Sequence, residues 1–357
     1  MSKSHTKSND FFMARALKLA RKGQFQVAPN PMVGAVIVKD KKIVAEGYHK
    51  FFGSAHAEIE ALKTVRPALL KDCTLFVTLE PCCHHGKTPP CTKAIIESGI
   101  KKVVIATLDP NKKVCGKGVK ELEKAGIKVS LIKPKKIIKE AEELNKAFFT
   151  FHKEKRPFVT LKAAVSLDGK IAENRTARTH LTGKDAEKYT HTLRANHQAI
   201  LVGAGTVLAD NPRLTVRVKA LKSLGARDPL RVILTGRRPL PKNAMIFDDK
   251  NVLVLKGKTI TEVMEILYKK EITSVLVEGG QSIFTSFIDA GFVDEIHFLI
   301  APVKLGKKAV DFYKNPTSGS CFKNFFNQSS TSIKCTTNGT MSWPFCSCLY
   351  PLSILTS

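Results

Sequence analysis

Hydrophobic positions alternate between two spacings along most of the chain. Phe12, Met13, Ala16, Leu17 and Ala20 recur at helical spacing, and Gly23 is placed to end that helix. After the rigid Pro29-Asn30-Pro31 turn, Val33 to Val38 reads as a buried strand that turns at Asp40 and pairs with Ile43 to Tyr48. A glycine-bearing loop, His49 to Ser54, leads to a helix from His56 to about Val65. The pattern then predicts a strand at Leu75–Leu79, a helix at about Thr92–Ser98 and a strand at Val103–Thr107. A helix at Val119–Ala125, a strand at Ile127–Leu131 and one helix over Ile137–Phe149 follow.

The second half continues the alternation. Phe158–Val165 is a strand that runs into the generic turn Ser166 to Lys170, and Asp185–Arg194 is a helix. The strand starting at Ala199 opens into a small-residue turn, Gly203 to Thr206, which lets a phosphate approach the backbone. Arg231–Leu234 is a strand running into Thr235-Gly236. Ser274–Gly280 is another, followed by a helix at about Ser282–Ala290. Alternating strands and helices give an α/β class with layered sheets. Gly and Thr at successive strand ends describe a ligand crevice at the carboxyl edge of the second sheet.

Composition narrows this picture. A length of 357 residues suits two domains, and 43% hydrophobic residues suffice for packed cores. The polar stretch Met1 to Asp10 is unlike a leader peptide, and no apolar run approaches the roughly 18–20 residues of a membrane span. A cytoplasmic protein without membrane contact is therefore expected, with nine cysteines serving as thiols or metal ligands. The net charge of +27 suits phosphorylated small molecules or nucleic acid. The lysines are spread along the chain and not gathered into an aromatic-laced patch, so nucleic acid is not the expected partner.

One stretch carries chemistry. His56-Ala57-Glu58 is followed some two dozen residues later by Glu80-Pro81-Cys82 and then Cys91. Zinc takes about four ligands, and a catalytic site leaves one position for water. His56, Cys82 and Cys91 supply three, while Glu58 lies beside the ion to move protons. An H-x-E with a later Pro-Cys and second Cys is the arrangement of zinc nucleobase deaminases. Taken singly, His-Ala-Glu is an ordinary helix start. Pro-Cys near a second Cys also fits buried thiols or a closed structural zinc site, for which Cys83 and His84 or His85 are further donors.

Taken together, Pro29-Asn30-Pro31-x-Val33-Gly34, His49-x3-Gly53-x2-His56-Ala57-Glu58, Glu80-Pro81-Cys82-x-His84-x-Gly86-Lys87-Thr88-Pro89-Pro90-Cys91 and Asp109-Pro110-Asn111-x3-Cys115-Gly116-x-Gly118 resemble the bifunctional riboflavin-biosynthesis deaminase/reductase family. The long Thr-Pro-Pro loop between the cysteines differs from the short Pro-Cys-x-x-Cys of cytidine and tRNA-adenosine deaminases. The resemblance runs from about Phe11 to about Pro302. It implies a cytidine-deaminase-like three-layer domain followed by a dihydrofolate-reductase-like domain. It also implies zinc on His56, Cys82 and Cys91, Glu58 as proton donor, and Asn30, His49 and Asp109 around a pyrimidine that bears a phosphoribosylamino group. Lys87 and Lys112 stand where Arg and Pro are usual.

In the second half the resemblance rests on Lys162 to Lys170, Gly203 to Arg217 and Val277 to Gly280. It implies that Ala164, Thr206, Asp210, Thr235 and the run Gly280, Gln281, Ser282, Ile283, Phe284, Thr285, Ser286 hold NADPH. Arg194, Leu214, Arg217 and Glu278 would hold the sugar phosphate. His180 and Arg178 replace the usual Trp and Ser. The expected domains are 1–150 and 151–312, in a homo-oligomer, a dimer or tetramer. From Tyr313 to Ser357 there is no Asp or Glu, periodicity is lost, and Cys321, Cys335, Cys346 and Cys348 cluster. An altered or disordered tail lacking the family's closing strands is expected, leaving a sheet edge uncovered. Beside the bifunctional reading stand a tRNA deaminase, a deaminase with an impaired reductase, and a non-catalytic zinc-organised binding module.

Overall fold

The computed structural model describes residues 8–84, 89–177, 179–314 and 332–337, the last stretch as backbone. The chain divides between Lys155 and Arg156 into two compact units. Among the described residues no helix is long and apolar enough to cross a membrane.

The first unit contains, in order, α1 (Asn9–Ala20), β1 (Gly34–Lys39), β2 (Lys42–Tyr48), α2 (Ala57–Leu62), α3 (Pro67–Leu70), β3 (Thr74–Val77), α4 (Cys91–Glu97), β4 (Lys102–Ile105), α5 (Lys117–Lys124), β5 (Lys128–Leu131), α6 (Lys135–Leu144) and α7 (Lys146–Glu154). The sheet order is β2-β1-β3-β4-β5. β1 runs antiparallel to β2 and β3, and β3, β4 and β5 are parallel. Successive residues of β1 serve opposite cores, which is why the strand reads as a continuous apolar run. Ala35 and Ile37 join Leu75, Val103 and Ile105 under Ala57, Ala61, Ile95 and Leu122. Val36 and Val38 join Phe76 and Val104 under Phe12, Met13, Ala16 and Leu17. The result is a three-layer αβα unit.

Two glycines let helices reach this sheet. A Cβ on Gly34 would strike the carbonyl of Ala16, and one on Gly47 would strike that of Ala57. The second approach seats the start of α2, and with it His56 and Glu58, against β2.

The single helix expected over 137–149 is in fact two. Asn145 interrupts it with φ −117° and ψ 22°. Its buried side chain binds the backbone of Met32, the Oδ1 accepting from Met32 N at 2.7 Å and the Nδ2 donating to Met32 O at 2.9 Å. A partner so far along the chain outweighs continuation of the helix.

The second unit contains β6 (Phe158–Ser166), β7 (Lys170–Ala172), α8 (Lys184–Asn196), β8 (Ala199–Gly203), α9 (Ala204–Asp210), α10 (Lys219–Ser223), β9 (Leu230–Thr235), β10 (Val252–Lys256), α11 (Ile260–Lys269), β11 (Ser274–Gly279), α12 (Gln281–Asp289), β12 (Glu295–Ala301), β13 (Val310–Asp311) and β14 (Ser332–Thr337). Its main sheet has the order β10-β9-β8-β11-β6-β12-β14, with every neighbouring pair parallel. Val159, Leu161, Ala163 and Val165 pack with Val263, Met264 and Leu267 of α11 and Phe284 and Phe287 of α12. Ile200, Val202, Ile233 and Leu276 face Leu193 and Val207 on the opposite side.

Three features depart from the pattern. The expected open turn at Gly203 to Thr206 is the first turn of α9. The elements β10, α11 and β12 were not anticipated, although Thr259 and Glu262 form a complete capping box at the start of α11, a signal legible in sequence. The tail is the third. Ser332–Thr337 pairs with β12 from Glu295↔Ser332 to Ile300↔Thr337, so a strand from the tail covers that edge after all. Phe312 and Tyr313 are also core residues. Cys321, Cys346, Cys348, Lys87, His85 and Arg178 lie outside the described residues, as does the side chain of Cys335.

Candidate functional site

His56 caps the start of α2 and Cys91 opens α4, while Cys82 sits in the loop after β3. The ligand atoms of these three residues all lie within 4.8 Å of one another. His56 Nδ1 stands 3.3 Å from Cys91 Sγ and 3.5 Å from Cys82 Sγ. Tetrahedral zinc with ordinary Zn–N and Zn–S bonds would place such atoms about 3.6 Å apart, so the donor set fits that ion. The Cys91 N–H donates to Cys82 Sγ at 3.4 Å. Hydrogen bonds from Cys91 and then His56 hold the Cys82 thiol well below its ordinary value, and the same sharing raises Cys91. Cys83 instead approaches the Lys113 carbonyl and is outside the group. Among the described residues the cluster therefore has three donors.

Glu58, on the first turn of α2, is only 3% exposed. Burial pushes its carboxyl up to about 7, against the opposing pull of His56. His49 is buried, and its ring meets that of His56 edge-on at 5.3 Å. Burial lowers the His49 pKa, keeping the ring neutral. Its Nδ1 lies 3.1 Å from the Ala55 carbonyl, which can only accept, so Nδ1 carries the proton. Its Nε2 then accepts from Asn30 Nδ2 at 3.1 Å. Asn30 and His49 are thus brought together and mutually oriented. Asp109 is buried as well, and burial raises it to about 7.

The sequence reading assigned Glu80 no role. Its buried carboxylate accepts from the backbone N–H of Asp109 at 3.2 Å, of Gly116 at 2.9 Å and of Val119 at 3.2 Å. One side chain therefore shapes the whole loop that carries Asp109. Gly118 is needed because a Cβ there would strike the Pro81 carbonyl. A carboxylate directly before the Pro-Cys of a metal loop was the available signal.

In the second unit the expected residues sort into separate environments. Ala164 on β6 and Thr206 and Asp210 on α9 are half-buried, and Thr235 ends β9 with its Oγ1 donating to the Arg238 carbonyl at 3.0 Å. A Cβ on Gly280 would sit 3.5 Å from Thr206 Oγ1, an ordinary contact, so the start of α12 lies beside the first turn of α9. Small residues at the ends of β8 and β11 suit the close approach of a cofactor's phosphates to the backbone. Gln281 Oε1 accepts from Arg175 Nη2 at 2.6 Å, and Ser282 is exposed. Ile283 packs on Gly203, Phe284 lies in the core against Phe312, and Thr285 Oγ1 accepts from Lys314 N at 2.9 Å. The Ser286 hydroxyl donates to the Ser282 carbonyl. Within that run, Gly280 lies near Thr206 and Ile283 lies against Gly203, while Phe284, Thr285 and Ser286 are engaged with Phe312, Lys314 and Ser282.

Arg194 and Glu278 form a buried bidentate ion pair, and Arg194 Nη1 also donates to Thr215 O at 3.3 Å. Burial opposes charge on Glu278, but Arg194 outweighs it and holds the carboxyl at about 2. The Arg217 N–H donates to His191 Nδ1 at 3.3 Å. The Leu214 side chain is buried among Leu193, Ile200 and Val207, with φ +55°. His180 and Lys112 are exposed.

Comparison with known proteins accounts for both units. The cytidine and deoxycytidylate deaminase zinc-binding region matches residues 6–107, and the RibD C-terminal domain matches residues 157–335, a span that reaches into β14. The riboflavin biosynthesis protein RibD of Bacillus amyloliquefaciens is 44% identical, over 83% of this chain and 85% of that protein. The RibD protein of Escherichia coli K12 is 37% identical, over 84% of this chain and 89% of that one. Among solved structures, Acinetobacter baumannii RibD superposes with a TM-score of 0.81 at 34% identity, covering 86% of this chain and 90% of that one. The diaminohydroxyphosphoribosylaminopyrimidine deaminase/5-amino-6-(5-phosphoribosylamino)uracil reductase of Thermotoga maritima gives 0.76 at 41% identity, with the same coverage. The chain belongs to the RibD family and is a bifunctional enzyme of riboflavin biosynthesis, a zinc-dependent deaminase joined to an NADPH-dependent reductase.

Proposed function

We propose that the first unit hydrolyses the 2-amino group of 2,5-diamino-6-(5-phosphoribosylamino)pyrimidin-4-one to a carbonyl, releasing ammonia. The observation that carries this reading is a buried carboxyl, Glu58, set beside a three-donor His/Cys/Cys cluster. His56, Cys82 and Cys91 hold the zinc, which when bound supplies a water ionised near neutral pH. Glu58 carries a proton to the ring nitrogen and then to the leaving amine. Burial favours the protonated form of Glu58, as a group that must carry a proton requires. His49 orients Asn30 through their shared hydrogen bond, and both line the pyrimidine pocket. Asp109, raised to about 7, offers the ring a donor hydrogen as well as an acceptor oxygen.

In the second unit NADPH supplies a hydride that converts the ribosyl group, at C1, to ribityl. Ala164, Thr206, Asp210, Thr235 and the first turn of α12 seat the cofactor, while the more distal Phe284, Thr285 and Ser286 support that turn by packing and hydrogen bonds. Arg217 engages the sugar phosphate, since guanidinium donors pair well with phosphate oxygens. Arg194 and Glu278 brace each other at the substrate end, and Leu214 contributes backbone. The protein works in the cytoplasm as a homo-oligomer, dimer or tetramer, without a nucleic-acid partner.

The test is a paired assay on purified protein. Ammonia release from the diaminopyrimidinone is followed with and without chelator, and NADPH oxidation is followed with the deaminated product. Both activities, with the first alone sensitive to chelator, are the expected result. Ammonia alone would mean the reductase half is impaired. Salt-sensitive RNA binding with neither activity would replace the substrate assignment.

A further inference from the structure

We infer that Arg238 grips the extra phosphate that distinguishes NADPH from NADH, at the β9 end of the crevice. This rests on the cofactor reading above and adds the residue that sets coenzyme choice.

The turn after β9 runs Thr235-Gly236-Arg237-Arg238-Pro239. Thr235 Oγ1 donates to the Arg238 carbonyl, which ties the turn back onto its strand. From there the Arg238 side chain reaches across to the element that follows β8. Its Nη1 is the heavy atom nearest the position a Cβ on Gly205 would take, 3.7 Å away. Gly205 and Arg238 are both exposed, so the guanidinium stands over bare backbone and open to solvent. Arg194, Arg156 and Arg231 are each paired with a carboxylate. Among the described residues Arg238 has no ion pair, so its charge is not already spent inside the protein.

The sheet order supplies a direction. Ala164 on β6 and Thr235 on β9 are separated by β11 and β8, three strand spacings in all. At 4.7–4.9 Å each, that is about 14 Å, the scale of an extended dinucleotide. The nicotinamide must meet the substrate carbon. The buried Arg194–Glu278 pair of the substrate set ends β11, and Lys162 of β6 acts on the same carboxylate. The nicotinamide therefore belongs at the β6 and β11 end, and the adenosine at the β8 and β9 end, beneath Arg238. A 2′-phosphate there is a dianionic acceptor for a guanidinium, whereas the 2′-hydroxyl of NADH offers it no charge. A lysine would keep the charge but lose the paired donors.

The experiment uses the full-length, zinc-loaded protein and reads binding by calorimetry with NADPH, NADH, adenosine 2′,5′-bisphosphate and 5′-AMP. Wild-type protein is expected to prefer the 2′-phosphorylated member of each pair. Arg238→Ala should cut that preference by about tenfold or more, leaving NADH and 5′-AMP binding unchanged, and Arg238→Lys should retain part of it. A circular-dichroism spectrum and melting profile of Arg238→Ala that match the wild type show that the second unit, which carries the substitution, is folded. Undiminished discrimination in Arg238→Ala, or equal weakening of NADPH and NADH, overturns the assignment alone. Wild-type protein that binds neither coenzyme overturns the crevice reading together with it.

Discussion

The Arg194 guanidinium holds the Glu278 carboxylate through two parallel hydrogen bonds, Nε to Oε1 at 2.7 Å and Nη2 to Oε2 at 2.9 Å. Both side chains are nearly excluded from water, so neither charge is tolerable alone. Arg194→Ala should destabilise the second unit by about 3–5 kcal/mol, because it strands a buried carboxylate. Urea denaturation at neutral pH measures this. A loss below about 1 kcal/mol would mean that water reaches the pair.

The same pair gives the second unit an acid-sensitive stability. Glu278 is held at about 2, below its ordinary 4.5. A depressed carboxyl contributes stability that is fully present above the ordinary value and is lost as pH falls from 4.5 towards 2. Stability of the wild type should decline across that window. Paired removal of both groups, Arg194→Leu with Glu278→Leu, should flatten the decline. Parallel acid titrations followed by circular dichroism compare the two proteins.

Glu58→Gln should keep the zinc and lose ammonia release by about 100-fold or more, the usual weight of a proton-transfer group. Metal content by mass spectrometry and ammonia assay are read on the same sample. A variant that retains most of its ammonia release would point to the non-catalytic zinc module or to another base.

Zinc removal should separate the two activities. Chelated protein, or Cys82→Ser, should fail to release ammonia while still oxidising NADPH when the deaminated product is supplied. Loss of both activities in soluble, helical protein would show that the metal also supports the reductase unit.

Glu80→Ala should act at a distance from the metal. It leaves the N–H groups of Asp109, Gly116 and Val119 without their acceptor, which costs about 2–4 kcal/mol for a buried, charged hub. The expected signature is a lower melting temperature and a raised KM for the pyrimidine, with zinc content unchanged. Loss of zinc instead would place Glu80 in support of the Cys82 loop.

Much of the first unit was legible because its strands are buried on both faces. Runs such as Val33 to Val38 and Leu75 to Leu79 admit little but a central strand, and the metal donors carry their chemistry in their residue types. The helix break at Asn145 was not legible, since its cause is Met32, 113 residues away. The helical start of α9 was hidden for a similar reason. Gly203 and Gly205 read as an open turn, but Gly203 is small so that Ile283 can pack on it. The tail gave no periodic signal, and β14 exists through its pairing with β12.

Residue types and spacing by themselves determined the α/β class and marked His56, Cys82, Cys91 and Glu58 as a candidate zinc site, because bonding capacity and hydrophobic period are local properties of the chain, while the two-part function was legible only through the resemblance of whole motifs to a family. Tertiary structure decided which groups face each other. It turned Arg194 and Glu278 into partners, sent Leu214 and Phe284 into the core, gave Glu80 a loop to hold and placed Arg238 over Gly205. Those outcomes depend on distances between residues far apart in sequence, and only packing sets them.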